Sequence, residues 1–192
     1  MAEISWSYYQ LKKWLVRGLH MGIRRLSRSA LPLQVAAVCY RWRGPDIEFL
    51  LVNTNGGGKW TFPKGAPSNS LSHSQAAARE AWEEAGVHGS IEPRHFSLYL
   101  HSKGVFWKPP GVREFVVKAF LMEVEYTVQP LEHMRTPTWF AGEAARRTLA
   151  KGREVKYARE LQAVVDRAVE LIQSQSVNSR RNKVAFRDAA AL

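Results

Sequence analysis

The sequence predicts an α/β fold, an α/β sandwich in which a mixed β-sheet lies between helices. Two observations support this prediction. Stretches rich in β-branched and aromatic residues, such as 33–42 and 112–126, are separated by one helical pattern and followed by two more. A hydrophobic content of 45% and seven tryptophans indicate a folded protein with a sizeable core. The 192 residues suffice for one domain with additional ends.

The first predicted elements form a hairpin. Strands at Leu33–Trp42 and Ile47–Val52 are joined by Gly44-Pro45-Asp46, which is strong turn chemistry. A short strand follows at Lys59–Phe62, and residues 66–71 form a loop before the next helix.

A helix is predicted between Ser72 and Gly86. Ser72 and Gln75 form a capping-box pattern, and Gly86 suits the left-handed residue that ends many helices. Helical spacing brings the carboxylates of Glu80, Glu83 and Glu84 to one face. The opposite side is predicted to be buried, and it contains Ala78, Ala81, Trp82 and Ala85.

The second half of the chain changes to longer strands. We predict strands at Ile91–His101 and Val112–Tyr126, a polar loop over 127–137 and a short strand at Thr138–Phe140. Helices are expected at Gly142–Lys151 and Glu154–Gln173, the second with a clear apolar stripe. The chain beyond Ser174 is polar and basic, which predicts a loose tail.

Three carboxylates on one helical turn repel each other, so such a cluster is either solvated or neutralised by a cation. Hard divalent ions such as Mg²⁺ take oxygen ligands and often lie between carboxylates and substrate phosphates. The residues around the cluster decide between these interpretations. Gly65 precedes the helix, and Arg79 lies beside the first acid.

These residues have the spacing of a known motif. Gly65, Arg79-Glu80, Glu83-Glu84 and Gly86-Val87 fit the Nudix box, which reads Gly, five residues, Glu, seven residues, Arg-Glu-aliphatic-x-Glu-Glu-x-Gly-aliphatic. The sequence thus resembles the Nudix family over roughly residues 33–172. The preceding Trp60-Thr-Phe-Pro-Lys-Gly65 resembles the diadenosine and diphosphoinositol polyphosphate branch. Two positions depart from the box, since Leu71 replaces its first Glu and Ala81 its first aliphatic residue.

The resemblance implies a Nudix-type α/β/α sandwich and a metal site. It implies that Mg²⁺, with Mn²⁺ as a substitute, is held by the carboxylates of Glu80, Glu83 and Glu84 and by the carbonyl of Gly65. Arg79 would orient these acids. The general base is either a glutamate of the box, such as Glu83 or Glu84, or an acid from a later loop, for which Glu132 is the candidate. Lys64 and Arg113 are candidates for contacts with substrate phosphates.

Several functions fit this resemblance. The first is a Mg²⁺-dependent pyrophosphohydrolase that cleaves a diphosphate linkage in a highly charged polyphosphate, such as a diadenosine or diphosphoinositol polyphosphate. The alternative is a degenerate module that binds nucleotide or RNA without hydrolysis, which Leu71 favours and the intact Arg-Glu-x-x-Glu-Glu core opposes. A third is the removal of damaged nucleoside triphosphates at the same site.

The net charge of +11 is concentrated at the two ends of the chain. Residues 1–30 contain six Lys or Arg and one acid, and residues 176–192 contain four and one. We therefore divide the chain into a basic amphipathic N-terminal helix at 1–30, a catalytic domain at 31–175 and a basic flexible tail at 176–192. A polyanion or membrane-surface contact through the basic ends is expected less strongly than the global charge suggests.

The N-terminal helix has three interpretations: packing against the domain or a second subunit in a homodimer, binding to a membrane surface or polyanion, or acting as an organelle transit peptide. Apolar runs are shorter than the roughly 20 residues of a membrane span. Cys39 is the only cysteine, which excludes an intrachain disulfide and favours a reducing, cytoplasmic location.

Overall fold

Within residues 31–54, 58–105 and 111–189, which the computed structural model describes, the chain forms eight strands, three α-helices and one 3₁₀ turn. The strands are β1 Leu33–Arg43, β2 Asp46–Asn53, β3 Trp60–Thr61, β4 Lys64–Gly65, β5 Val87–Ile91, β6 Ser97–Val105, β7 Gly111–Thr127 and β8 Thr138–Ala141. The helices are α1 His73–Ala85, α2 Gly142–Ala150 and α3 Val155–Ala189, and the 3₁₀ turn is His133–Arg135. The predicted N-terminal helix lies outside the described residues.

The strands form a mixed sheet in the order β3-β2-β1-β7-β5, with β4 on β1, β6 on β7 and β8 on β2. The central strands β1 and β7 are parallel, with Leu33 opposite Val116 and Tyr40 opposite Glu123. A parallel pair needs a long crossover, and the chain between β1 and β7 supplies it. The predicted mixed sheet is confirmed.

Helices cover both faces of this sheet. Alternation along β1 sends Val35, Ala37 and Cys39 to the face covered by α1. The alternating residues Ala36 and Val38 face the second core cluster, which is covered by α2 and α3. The predicted sandwich is therefore confirmed, and Cys39 is a fully buried core residue. None of the helices in the described part of the chain combines the length and apolar character needed to cross a bilayer.

The caps of α1 agree with the sequence. The Ser72 hydroxyl accepts a hydrogen bond from the Gln75 amide at 3.2 Å, and the Gln75 side chain accepts one from the Ser72 amide at 2.9 Å. Gly86 ends the helix with a φ of 64°. These contacts satisfy backbone groups that have no partner within the helix, so local residues define both ends of α1.

The predicted buried face of α1 is confirmed for Ala81 and Ala85 and wrong for Trp82. Trp82 is 37% exposed and contacts the His88 ring at the surface, whereas Ala77, Ala81 and Glu84 are buried. The spacing of the three acids does not determine which of the two helix surfaces flanking them packs against the sheet. The side formed by small alanines can approach β1 closely, and an indole there would hold the helix away.

The predicted strand Ile91–His101 is interrupted. Ile91 pairs with Met122 and Ser97 with Ala119, so five residues on one strand lie opposite two on β7. Pro93 falls in this segment and has no amide hydrogen to donate to the sheet. The chain therefore leaves the sheet after β5 and returns as β6.

The C-terminal helix is longer than predicted. We expected it to end at Gln173 and a loose tail to follow, but α3 continues to Ala189. Residues 174–189 contain neither Gly nor Pro, so no strong helix breaker ends α3 at the point where the apolar stripe stops.

A prediction concerns Gly86. A Cβ at this position would lie 2.1 Å from the Val128 carbonyl oxygen, and the φ of 64° is unfavourable for other residues. We expect Gly86→Ala to lower the free energy of unfolding by about 2 to 4 kcal/mol, as the sum of the conformational and steric costs. Urea unfolding measures this change.

Gly44→Ala is the matched control. Gly44 has a φ of 62°, but a Cβ there would meet no atom within 4 Å. It should cost only about 1 to 2 kcal/mol, the conformational part alone. Equal losses in the two variants would contradict the steric role of the contact between Gly86 and Val128.

Candidate functional site

The predicted metal-binding residues lie where α1 crosses β4. The carboxylate of Glu80 packs directly on Gly65, since a Cβ on Gly65 would lie 2.1 Å from Glu80 Oε1 and 2.3 Å from Oε2. Gly65 itself pairs with Val35 of the central strand. The sheet therefore fixes the backbone on which the Glu80 side chain rests, and only glycine leaves room for it.

Glu84 is the most buried acid of the group, with 1% of the residue exposed. Its Oε2 accepts a hydrogen bond from the Lys64 amide at 3.1 Å, and its Oε1 lies 2.6 Å from Arg135 Nη2. Burial raises the pKa of Glu84 to about 7, although Lys64 and Arg135 favour the charged form. Glu84 is thus a carboxyl group whose ionisation is costly without further positive charge.

Glu80 is under electrostatic stress of the same kind as Glu84. Burial and the neighbouring Glu83 raise the pKa of Glu80, and Arg79 opposes the shift. Arg79 Nε lies 3.7 Å from Glu83 Oε1, which places the guanidinium beside the acids as predicted. A divalent cation would relieve this repulsion more effectively than one arginine.

The donors present suit such a cation. Carboxylate oxygens are the ligands that Mg²⁺ prefers, and each oxygen can accept more than one contact. Glu84 can therefore keep both hydrogen bonds and still bind a metal. Among the described residues, no three His, Cys, Asp or Glu side chains already form a complete cluster. A metal site here depends on adjustment of the Glu83 and Glu80 side chains.

The loop after β7 brings Glu132 to the acidic helix. The Glu132 amide donates to the carbonyl of Glu83 at 3.0 Å, and the Val128 amide donates to the carbonyl of Gly86. Glu132 Oε2 lies 2.6 Å from Arg135 Nε, and 42% of its side chain is exposed. The predicted candidate base is therefore beside the metal-binding residues and open to water.

Lys64 belongs to a second group of side chains at this end of the sheet. Burial lowers the pKa of Lys64, which Glu84 opposes and Arg135 and Arg153 reinforce. Burial together with Lys64 and Arg153 also lowers the pKa of His101 to about 3, so this imidazole is neutral at pH 7. Positive charge is thus concentrated next to the carboxylates.

Arg113 occupies a different position. It is exposed on β7, and its guanidinium lies 5.2 Å from the centre of the Phe115 ring. The structure does not bring it into the group formed by Lys64, Glu84 and Arg135. Its contact with substrate stays a prediction.

Comparison with known proteins decides the family. A sequence model of the NUDIX domain matches residues 32–161, which is more than half of the chain. The chain belongs to the Nudix family. Nudix proteins generally use a divalent metal such as Mg²⁺. The acidic helix and Gly65 are therefore its Nudix motif.

One relative and two solved structures illustrate the similarity. The chain is 31% identical over 103 residues to the mitochondrial Nudix hydrolase 18 of Arabidopsis thaliana, covering 53% of this chain and 55% of that protein. Its fold is similar to that of an Ap4A hydrolase from C. elegans solved as a binary complex, with a TM-score of 0.55, 20% identity, and coverage of 75% and 99%. It is also similar to the NUDIX domain of Shewanella oneidensis NrtR solved with ADP ribose, with a TM-score of 0.53, 18% identity, and coverage of 74% and 88%.

At Leu71, where this sequence departs from the Nudix motif, the structure shows an apolar contact with the core. Leu71 is partly buried and packs against the core cluster beneath α1. An apolar contact thus holds the loop before α1 at the position where the motif has its first Glu. The loop is supported, but without the additional carboxylate.

The sequence did not identify four residues of this site. Arg135, Tyr99, His101 and Arg153 all lie outside the Nudix motif. The Tyr99 hydroxyl is buried without a hydrogen-bond partner in the described structure. Arg153 donates to the carbonyls of Leu149 and Trp60. These side chains converge only through the pairing of β6 with β7 and the turn between α2 and α3.

Gly65→Ala tests the packing of Glu80. A new Cβ must displace the Glu80 carboxylate, which is the flexible end of its side chain, so the fold should survive. We expect affinity for a divalent metal to fall about 10-fold, as for other changes that misorient a ligand. Isothermal titration calorimetry with Mn²⁺ measures it.

Gly142→Ala is the control for Gly65→Ala. Its Cβ would meet Phe49 at 3.7 Å, an ordinary contact on the other face of the sheet. Metal affinity should be unchanged in this variant. Unchanged affinity in Gly65→Ala as well would contradict the placement of Glu80 in the metal site.

Glu84 should make stability depend on pH. Its pKa of about 7 in the folded protein lies above the ordinary value, so folding takes up a proton between about pH 4.3 and 7. This contribution to stability is lost as pH rises through that window. His101 acts in the opposite sense, since its pKa is lowered and the unfolded chain binds more protons.

The comparison of wild type with Glu84→Gln separates these effects. In EDTA, wild type should lose stability from pH 5 to pH 7 relative to Glu84→Gln, which has no carboxyl group to titrate. The difference between the two free energies of unfolding should change by at most about 1.4 kcal/mol for each unit by which the folded and unfolded pKa values of Glu84 differ. Urea unfolding at three pH values gives the slopes. Parallel slopes for the two proteins would contradict the raised pKa.

Proposed function

We propose that this protein is a Mg²⁺-dependent hydrolase that cleaves a diphosphate linkage in a highly charged polyphosphate. The observation that carries the proposal is the acidic helix, on which Glu80 packs against Gly65 and Glu84 accepts a hydrogen bond from the Lys64 amide, beside the positive charge of Lys64. Such a reaction requires carboxylates that hold the metal and, next to them, positively charged side chains that bind the phosphates.

Glu80, Glu83 and Glu84, with the carbonyl of Gly65, would hold the metal. When bound, Mg²⁺ supplies positive charge that stabilises the phosphate oxygens as the linkage breaks. Arg79 keeps Glu83 in place, and the sheet keeps Gly65 in place. The strand and the capped helix therefore fix the backbone from which Glu80 and Glu83 would adjust to bind the metal.

Glu132 would act as the general base. Its Oε2 is held by Arg135, and its partly exposed side chain has contact with water. The Glu132 carboxylate would take a proton from the attacking water, and the leaving phosphate would depart on the opposite side. Exposure favours Glu132 over Glu84, since 42% of the Glu132 side chain is open to water and only 1% of Glu84 is.

The positive side chains favour a substrate with several phosphates. Lys64 and Arg153 both lower the pKa of His101, so their positive charges lie close together at this end of the sheet. The similarity in fold to an Ap4A hydrolase agrees with a diadenosine polyphosphate. A diphosphoinositol polyphosphate has the same chemistry and belongs in the same test.

A second candidate function is binding without hydrolysis. Leu71 favours it, because the motif has lost one carboxylate and replaced it with an apolar contact. A cytoplasmic location, a homodimer and polyanion or membrane contacts through the basic ends stay predictions from the sequence.

Turnover of a substrate panel tests the proposal. Diadenosine polyphosphates, nucleoside triphosphates, ADP-ribose and a diphosphoinositol are incubated with Mg²⁺, and phosphate or nucleotide release is measured. We expect Glu83→Gln to lower kcat on the order of 100-fold, because one charged ligand of the metal is lost. The fold should be unchanged, since Glu83 is partly exposed.

Glu143→Gln is the matched control, since Glu143 is an exposed, ion-paired glutamate on α2. It should retain wild-type turnover. Equal activity of wild type and Glu83→Gln at saturating Mg²⁺ would contradict the metal assignment. No turnover of any substrate, with nucleotide or RNA still bound, would favour the binding module.

A further inference from the structure

Arg135 contacts the two halves of the site at once. Its Nη2 lies 2.6 Å from Glu84 Oε1, and its Nε lies 2.6 Å from Glu132 Oε2. Glu84 is on the acidic helix, whereas Glu132 is on the loop after β7. One planar guanidinium therefore connects a metal-binding residue with the candidate base.

The position of Arg135 is itself held by its neighbours. Its side chain is only 14% exposed, and its Nη1 donates to the carbonyl of Asn53 at 3.4 Å. The side-chain amide of Asn53 also donates to Thr136 Oγ1 at 2.7 Å. Thr136 has a φ of 43°, a left-handed conformation that is costly for a β-branched residue. The end of β2 thus fixes the turn that carries Arg135.

We propose that Arg135 is a positioning residue that sets Glu84 and Glu132 relative to each other, so that one guanidinium aligns the metal site with the general base. This inference rests on the proposed function for the role of Glu132. It adds a residue outside the Nudix motif, whose contacts are with Glu84, Glu132 and the Asn53 carbonyl. Its effect passes through the two carboxylates.

The proposed positioning of two carboxylates requires the planar, forked arrangement of donors that a guanidinium provides. Arginine presents several donors in fixed directions, so Nε and Nη2 can hold two carboxylates simultaneously. A lysine retains the charge but is a single point donor on a flexible stem. Arg135→Lys therefore removes the alignment while it leaves a positive charge beside the buried Glu84, which protects the fold.

The expected effects follow from this difference. Partners of metal ligands typically contribute 10- to 100-fold to metal affinity or activity. Arg135→Lys should lower kcat about 10- to 100-fold with little change in KM, because substrate contacts remain. It should also raise the dissociation constant of Mn²⁺ about 10-fold, because Glu84 is no longer oriented.

Arg146→Lys is the matched control. Arg146 also lies between two carboxylates, with distances of 3.3 Å to Glu143 and 2.8 Å to Asp166, but it connects α2 to α3. Its replacement should leave kcat and Mn²⁺ affinity unchanged. A similar loss in Arg146→Lys and Arg135→Lys would assign the effect to general stability and overturn the proposal.

A double-mutant comparison tests whether Arg135 acts through Glu132. If it does, then at saturating Mg²⁺, where weaker metal binding through Glu84 does not limit the rate, Arg135→Lys should add little to the loss of kcat already caused by Glu132→Gln. Additive losses of kcat would overturn the proposal. Asn53→Ala provides a milder perturbation that leaves the ion pairs intact, and it should lower kcat less than Arg135→Lys and also fail to add to Glu132→Gln.

Mn²⁺ binding, followed by electron paramagnetic resonance, keeps this test separate from the proposed function. If wild type hydrolyses no substrate of the panel, the proposed function fails, but weaker Mn²⁺ binding in Arg135→Lys still supports the orientation of Glu84. If wild type is active and both Mn²⁺ affinity and kcat are unchanged in Arg135→Lys, the proposal for Arg135 fails and the proposed function stands.

Discussion

The close approach of α1 to the central strand is the constraint on which the site depends. Ala77, Ala81 and Ala85 are small and buried, so the helix axis can lie near β1. At that distance Glu80 reaches the backbone of Gly65 and Glu84 reaches the amide of Lys64. A larger side chain in the alanine face would move both carboxylates away from β4. The alanine at position 81, where the Nudix motif has an aliphatic residue, is consistent with this packing.

Burial gives the carboxylates their chemical character. A solvated acid is fully ionised at neutral pH and has little need for a cation. Glu84 is buried with the backbone of β4, and its pKa is raised by that burial. Because packing of α1 on the sheet removes water from Glu84, its ionised carboxylate needs nearby positive charge to be stable. Arg135 supplies part of this charge in the protein alone, and a divalent metal would supply the rest.

The two faces of the sheet contribute differently to the site. On one face of the sheet α1 supplies the acids, on the opposite face β6 supplies Tyr99, and the turn between α2 and α3 supplies Arg153. Lys64 lies between these groups and has electrostatic contact with both Glu84 and Arg153. Negative and positive side chains therefore meet around β4, which pairs with the central strand β1.

Local chemistry determined much of this protein from the sequence alone. The capping box of Ser72 and Gln75, the left-handed Gly86 and the spacing of the acids depend on neighbours within a few residues, so the bounds of α1 and its acidic stripe could be read directly. The tertiary structure alone decided which side of that helix is buried, that Pro93 divides a strand, and that Arg135, Tyr99, His101 and Arg153 join the site. Those outcomes depend on contacts between residues far apart in the chain, such as Arg153 with Trp60 and Arg135 with Asn53. Local pattern carries no information about such contacts, because the sheet that brings these residues together forms from the whole chain.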